Sequence, residues 1–194
     1  MPLFDPAILR GLFVPLLGDP HWQEGRQGTG YRKLDLRQRD LPALSAVRAS
    51  ALALLAPPLP DFYDEWLLQY LPGDFIPPHR DPPLADGLAH LRLNILVLAG
   101  EGGSLFLNGE PHPLLPGEAI LFRPDRVTHA VETVRSGMRL VWSLGTNLPE
   151  ADLSQRAEGR AHEGADVWNP TSHGGQGADF RIRGTGSSGA VPYE

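Results

Sequence analysis

Three residues of the chain have the types and the spacing of a metal site. His79 and Asp81 are two residues apart, and on an extended chain such residues point to the same side, so both side chains can reach one ion. His129 lies 48 residues after Asp81, at the start of an apolar run. Two imidazoles and one carboxylate on one face of an octahedral ion leave three positions open. The pattern predicts a divalent metal site that admits further ligands.

Each half of this pattern has a simpler explanation. An isolated His-x-Asp usually lies in a solvated turn, and a single His at the start of a strand is more often a structural residue. The joint pattern favours the metal site, because the His79/Asp81 pair follows one predicted strand and His129 opens another in the same β-rich region.

A cationic residue follows the last of these histidines. Arg139 comes ten residues after His129, across a predicted turn at Ser136-Gly137, so both side chains can face one interior. The neighbouring positions 140–142 and 144 are apolar on both alternations, which disfavours the outer face of a sheet. A buried guanidinium needs an anionic partner. That partner is either an internal carboxylate or a small dicarboxylic acid bound in the cavity.

The elements that must position these residues are mostly short strands. Between residues 66 and 148, apolar runs alternate with turn signals, including the hairpin pair Asn108-Gly109. Seven or eight strands in this span predict a sandwich or barrel of the jelly-roll type. Before them, the apolar spacing of Leu41–Ala56 predicts an amphipathic helix that Pro57-Pro58 ends. The charged segment Gly25–Asp40 supports no assignment.

The whole chain of 194 residues has the size of one ordinary domain. We divide it into a helical support region (1–65), a β-rich core (66–150) and a Gly-rich, flexible tail (151–194) that contains too few apolar residues to order itself. The sequence has no Cys, which excludes disulfides, thiolate zinc sites and a Cys nucleophile. A net charge of −6 disfavours a nucleic-acid surface. No apolar run reaches a membrane span and the N-terminus does not resemble a signal peptide, so we expect a cytoplasmic protein.

Residues 66–147 resemble the core of the 2-oxoglutarate and Fe(II)-dependent oxygenases, especially the branch that resembles prolyl hydroxylases. The resemblance covers about 80 residues and rests on short motifs that are specific in combination. These motifs are Tyr70–Asp81 (YLPGDFIPPHRD), Gly102–Phe106 (GGSLF), Pro116–Phe122 (PGEAILF), His129–Val134 (HAVETV) and Gly137–Trp142 (GMRLVW).

The resemblance implies a double-stranded β-helix in which His79, Asp81 and His129 bind Fe(II). It implies that 2-oxoglutarate and O₂ are cosubstrates and that Arg139 pairs with the distal carboxylate of 2-oxoglutarate. Tyr70 matches a family Tyr that often hydrogen-bonds the same carboxylate, although a plain core aromatic is an equal alternative. Asn94 shares a strand face with Arg92 and either contacts a ligand or makes a structural hydrogen bond.

The implied activity is hydroxylation of an unactivated C–H bond. The substrate is an amino-acid residue in a peptide or protein, or a free amino acid. The strand at Arg139 lacks the second Arg and the Asn of the nucleic-acid dealkylating branch, so we expect no nucleic-acid partner, and no membrane partner either. The alternative is a cupin-like metal-binding or sensor module without oxygenase activity. His90 and His112 are predicted to be surface residues, and the oligomeric state is not predicted.

Overall fold

The part of the chain that the structure describes is mainly β, and its two α-helices of eight residues or more lie before the first long strand. The structure, a computed structural model, describes residues 2–26, 28–37, 39, 41–55, 64–85, 87–151 and 180–182. Its helices are α1 (Pro6–Phe13), a 3₁₀ helix (Val14–Gly18) and α2 (Pro42–Leu55). The strands are β1 (Gln23–Glu24), β2 (Arg32–Asp35), β3 (Asp64–Tyr70), β4 (Ile76–His79), β5 (Leu88–Leu98), β6 (Glu101–Gly102), β7 (Leu105–Leu107), β8 (Glu110–His112), β9 (Ala119–Phe122), β10 (His129–Val131), β11 (Val134–Ser136), β12 (Arg139–Pro149) and β13 (Phe180–Ile182).

Two antiparallel sheets form the body of the molecule. The major sheet has the order β1-β2-β3-β12-β5-β9-β13, and the minor sheet has the order β4-β10-β7-β8. A two-stranded ribbon, β6-β11, extends beside them. Strands that are distant in sequence are neighbours in both sheets, as in a jelly roll. The predicted mainly β fold with N-terminal helices is confirmed.

The outer face of the major sheet packs against the helices. Leu9 and Phe13 of α1 are fully buried against this face, and the Phe13 ring lies 5.2 Å from that of Trp142. An ion pair between Arg48 of α2 and the buried Glu65 of β3 ties the second helix to the sheet at 2.9 Å. The helices thus bury apolar residues of this face in a structural core.

The inner face of the major sheet meets the minor sheet in a second apolar core. Leu96 and Val141 of the major sheet lie in one cluster with Leu105, Leu107 and Val131 of the minor sheet. Residues on β3 and β12 alternate between the two cores, so Leu67 and Trp142 face the helices while Leu68 and Val141 face inward. This alternation decides which side chains can line a site between the sheets.

The predicted elements agree with the observed ones in their centres and differ at their ends. The helix predicted over Leu41–Ala56 is α2, and its predicted stop at Pro57-Pro58 lies outside the described residues. The unassigned segment Gly25–Asp40 contains β2, which pairs with β3. In the predicted tail, the three residues of β13 pair with β9, and 152–179 and 183–194 lie outside the described residues. None of the helices in the described part of the chain has the length and apolarity needed to cross a membrane.

Candidate metal and anion site

The three candidate metal ligands lie together where β4 and β10 of the minor sheet pair. His79 is the last residue of β4 and lies opposite His129, the first residue of β10. Their rings are 4.1 Å apart. Asp81 follows two residues after His79, and its backbone N–H donates to the carbonyl of Pro124 at 2.8 Å. That hydrogen bond holds the chain extended beyond β4, so Asp81 points to the same side as His79.

The geometry of these side chains is that of one face of a coordination sphere. The ligand atoms of all three residues lie within 4.8 Å of one another. Oδ1 of Asp81 is 3.6 Å from Nε2 of His79 and 3.9 Å from Nε2 of His129. All three side chains are partly buried and line one cavity.

Backbone carbonyls select the tautomer of both histidines. Nδ1 of His79 lies 2.9 Å from the carbonyl oxygen of Pro77, and Nδ1 of His129 lies 3.2 Å from that of Val127. A carbonyl only accepts, so each Nδ1 carries a proton, and in the neutral form of each ring Nε2 keeps a lone pair. Both Nε2 atoms lie on the side of Oδ1 of Asp81. This is the outer hydrogen bond that metal-binding histidines usually make.

Electrostatics favours the neutral form of His129. Burial, and after it the neighbouring His79, lower the pKa of His129 to about 4, against the opposing effects of its hydrogen bond to the Val127 carbonyl and of Asp81. A neutral imidazole is the form that binds a metal ion. Two imidazoles and one carboxylate, with ligand atoms within 4.8 Å of one another, fit a divalent transition metal with positions left for other ligands.

Arg139 lies in the same cavity as the three ligands. It pairs in register with Tyr70 across β12 and β3, it is 5% exposed, and its guanidinium lies 5.1 Å from the Tyr70 ring. Among the described residues, no carboxylate lies within 4.0 Å of it. Burial lowers the pKa of Arg139, but a guanidinium stays charged at neutral pH. The described residues thus leave a buried positive charge without an anion.

The cavity that joins these features has a volume of about 210 Å³. The residues around it come from both sheets and their loops; they are Tyr31, Lys33, Trp66, Leu68, Tyr70, Ile76, His79, Asp81, Arg92, Asn94, Leu105, Phe122, Pro124, His129, Val131, Arg139, Val141 and Ser143. Tyr70 is fully buried, and burial raises the pKa of its phenol. Its hydroxyl therefore remains protonated and can donate a hydrogen bond.

The two polar residues that the sequence places on one face of β5 both line this cavity and both have protein partners. Arg92 donates to Oδ1 and Oδ2 of Asp64 at 2.6 and 3.0 Å. The Ser143 hydroxyl donates to Oδ1 of Asn94 at 2.7 Å. Asp64 and Arg92 meet across β12 at Gly145, where a Cβ would come within 2.7 Å of Asp64 Oδ1. Arg92 is therefore balanced by a carboxylate, whereas Arg139 is not.

The prediction that His90 is a surface residue is wrong. His90 is 6% exposed, and its Nδ1 lies 3.8 Å from Oδ2 of Asp81. Its Nε2 lies 3.3 Å from Nη2 of Arg92. Burial and the nearby Arg92 lower the pKa of His90. The alternation of β5 was a signal for this position, because it puts His90 on the face that Arg92 and Asn94 share.

His112, the other predicted surface histidine, is half-buried. It lines a second cavity of about 250 Å³ that reaches Arg139 from the side of the β6–β7 turn. Sequence reasoning missed Trp66 and Lys33 as cavity residues; the Nζ atom of Lys33 lies 4.4 Å from the Trp66 ring. Lys33 lies in a segment without a predicted strand, so nothing indicated which way it points.

Comparison with solved structures relates this architecture to known proteins. A Pseudomonas putida prolyl-4-hydroxylase aligns with a TM-score of 0.54 and 22% identity, over 74% of this chain and 86% of that one. A Trichoplax adhaerens prolyl hydroxylase, in complex with a peptide of hypoxia inducible factor, aligns with a TM-score of 0.58 and 16% identity, over 77% and 80%. HygX from Streptomyces hygroscopicus, with nickel and 2-oxoglutarate bound, aligns with a TM-score of 0.52 and 15% identity, over 77% of this chain and 82% of that one.

This chain has the fold of these oxygenases. The double-stranded β-helix that the resemblance of residues 66–147 implies is thereby confirmed. No family model matches the sequence, and no curated protein matches it either.

Proposed function

We propose that this chain is a 2-oxoglutarate and Fe(II)-dependent dioxygenase that hydroxylates an unactivated C–H bond. One observation carries the proposal: the cavity that receives His79, Asp81 and His129 also receives a buried arginine without a carboxylate partner among the described residues. Such a cavity fits a ligand that chelates a metal at one end and carries an anion at the other. 2-Oxoglutarate is a small dicarboxylic acid with this chemistry.

In this proposal, His79, Asp81 and His129 hold Fe(II) through two Nε2 atoms and one carboxylate oxygen. Bound iron would supply the activation of O₂, coupled to oxidation of 2-oxoglutarate to succinate and CO₂, that hydroxylates the substrate. Arg139 holds the distal carboxylate of 2-oxoglutarate with its planar fork. The protonated Tyr70 hydroxyl donates to the same carboxylate, and Leu68 and Val141 exclude water from the space between.

The proposed substrate is an amino-acid residue in a peptide or protein, or a free amino acid. The Trichoplax enzyme with the same fold has a peptide bound, which supports this class. Asn94 and Ser143 line the cavity, but each already has the other as a hydrogen-bond partner. We therefore propose that Asn94 shapes the wall of the cavity and that the Asn94 amide N–H groups are its remaining donors to a ligand.

The test is formation of succinate from 2-oxoglutarate by the full chain under Fe(II) and O₂, with and without candidate peptides. His79→Ala and Asp81→Ala should each abolish succinate formation and leave the circular dichroism spectrum unchanged, because these side chains lie at a partly exposed site. The matched control is His21→Ala, whose side chain is 75% exposed and lies in the N-terminal region; it should keep full turnover. Addition of a chelator should have the same effect as the ligand variants.

The outcomes separate the proposal from the non-enzymatic alternative. Near wild-type turnover in His79→Ala would contradict the metal site. Tight Fe(II) binding by the wild-type chain without any succinate, with or without peptides, would favour a metal-binding module of the same fold.

A further inference from the structure

A series of polar contacts runs from Asp64, the first residue of β3, to the candidate metal ligand Asp81. Asp64 and Arg92 make a two-pronged ion pair at 2.6 and 3.0 Å. Arg92 reaches Nε2 of His90 through Nη2 at 3.3 Å. Nδ1 of His90 then faces Oδ2 of Asp81 at 3.8 Å. Asp64, Arg92 and His90 have no role in the proposed reaction. Their contacts nevertheless form a series that ends at Oδ2 of Asp81, a proposed metal ligand.

The direction of the hydrogen bonds along this series follows from the donors. A guanidinium only donates, so Nε2 of His90 must accept from Arg92 and cannot carry a proton. A neutral imidazole with a bare Nε2 carries its single proton on Nδ1. Nδ1 lies 3.8 Å from Oδ2 of Asp81. Arg92, itself fixed by Asp64, therefore selects the tautomer of His90 that can donate to the ligand.

The two oxygens of Asp81 have different surroundings. Oδ1 faces Nε2 of His79 and Nε2 of His129 at 3.6 and 3.9 Å, whereas Oδ2 faces His90. His90 and Arg92 lie on one face of β5, which pairs with β12 along ten residues at the centre of the major sheet. A strand held in this way gives the His90 ring a fixed position.

We propose that His90 is a positioning residue for the metal site: its Nδ1–H binds Oδ2 of Asp81, so that Oδ1 alone coordinates the metal. A carboxylate that bound through both oxygens would occupy one of the three positions that a chelating cosubstrate and O₂ need. The proposal rests on the proposed metal site. The present 3.8 Å separation is longer than a hydrogen bond, and Asp81 must approach His90 by about 0.8 Å to form one.

The experiment compares Co(II) binding to the metal-free full chain and its variants under anaerobic conditions, followed by visible absorption. Outer hydrogen-bond partners of metal ligands typically contribute about 10- to 100-fold in affinity, so His90→Phe should weaken Co(II) binding by at least tenfold. Two amide variants, His90→Asn and His90→Gln, distinguish a role of Nδ1 from a role of Nε2. His90→Asn places an N–H donor near the position of Nδ1 and should restore most of the affinity and the wild-type spectrum. His90→Gln places its amide near Nε2 and should not.

The amide pair keeps the test decisive if the Phe variant fails to fold, since both amides are polar and of similar size. Affinities for His90→Gln and His90→Asn within twofold of the wild type, with unchanged spectra, would overturn the inference. His79→Ala is the reference for the underlying site. If it also kept wild-type affinity, the metal site itself would be wrong; if it lost Co(II) while the His90 variants did not, only the role of His90 would be wrong.

Discussion

At the scale of single residues, two buried arginines of one cavity have opposite roles. Arg92 is balanced by Asp64 at hydrogen-bond distance. Arg139 is 5% exposed, its guanidinium lies 5.1 Å from the Tyr70 ring, and no carboxylate of the described residues lies within 4.0 Å of it. A buried, unbalanced charge destabilises a protein, so Arg139 is the residue whose environment improves when an anion binds.

The first prediction concerns this arginine. Arg139→Ala should raise the KM for 2-oxoglutarate by tenfold or more, because charge-assisted hydrogen bonds contribute about 1.5–3 kcal/mol each and about 1.4 kcal/mol corresponds to a factor of ten. Arg139→Lys keeps the charge but loses the planar fork, so its KM should rise less. Co(II) affinity should not change in either variant. Steady-state kinetics with varied 2-oxoglutarate measures the effect.

The control for this prediction is Arg135→Ala, which removes an exposed arginine of the neighbouring β11. It should leave the KM unchanged. An unaltered KM in Arg139→Ala would mean that another cation of the cavity, with Arg92 the first to test, binds the cosubstrate.

At the scale of elements, the turn between β6 and β7 sets the space that Arg139 occupies. Gly103 has a φ of +69°, which favours glycine. A Cβ at this position would come within 2.9 Å of Cδ of Arg139 and 3.0 Å of Cγ2 of Val134. The absence of a side chain at Gly103 therefore lets Arg139 pack closely behind the turn.

Gly103→Ala should consequently displace the Arg139 side chain and raise the KM for 2-oxoglutarate severalfold. Gly109→Ala is a matched control: Gly109 has a φ of +87°, and nothing lies within 4 Å of its added Cβ. Both variants should lose about 1 kcal/mol or more of unfolding free energy through backbone strain. Only Gly103→Ala should change the KM. An equal KM for the two variants would contradict this account of the turn.

Another element-scale contact joins the end of the 3₁₀ helix to the segment after β2. Oδ1 of Asp19 accepts from the backbone N–H of His21 at 2.8 Å and from Nη2 of Arg39 at 2.9 Å. These bonds, the His21 amide first, lower the pKa of Asp19 from 3.8 to about 2. A carboxylate with a lowered folded-state pKa stabilises the fold above its ordinary pKa, and this stabilisation is lost as the pH falls towards the lowered value.

Asp19→Asn should therefore lower the Tm of the metal-free protein at neutral pH. The difference from the wild type should shrink as the pH falls from about 4 towards 2. Thermal melts followed by circular dichroism over this range test the sign. A difference in Tm that stays constant down to the lowest pH would show that the ionised form of Asp19 does not stabilise the fold.

At the scale of the whole molecule, the major sheet separates a structural core from the site. Its outer face is buried against α1 and α2, and its inner face lines the cavity. Because strand residues alternate between the faces, one residue can belong to the structural core while the next one lines the cavity. Leu67 is fully buried on the helical side, and Leu68 lines the cavity.

Leu67→Ala should lower the free energy of unfolding by about 2–5 kcal/mol, as large-to-small changes in a core do. The KM for 2-oxoglutarate should stay unchanged in the folded enzyme, since the side chain points away from the cavity. Urea denaturation and kinetics at low temperature measure the two quantities. Ile8→Ala, at a side chain 49% exposed, is the control and should change stability by less than about 0.5 kcal/mol. A raised KM in Leu67→Ala would contradict the separation of the faces.

The sequence by itself determined the features that local chain geometry controls. The alternation of a strand puts His79 and Asp81 on one side, and the turn pair Asn108-Gly109 joins β7 to β8, with Asn108 at a φ of +51°. The apolar runs located β5 and β12 because strands buried on both faces are apolar at both alternations. The jelly-roll class followed from the number of such runs.

The tertiary structure decided the pairings between residues far apart in the chain. Asp64 neutralises Arg92 across 28 residues, and no local pattern shows that this arginine, and not Arg139, has the partner. His90 is buried because β5 lies between β12 and β9, a strand order that the hydrophobic pattern does not contain. Strand pairing brings such residues together through backbone hydrogen bonds that are the same for every side chain. The sequence therefore indicates which residues can form a site, and only the packed sheets determine which of them meet.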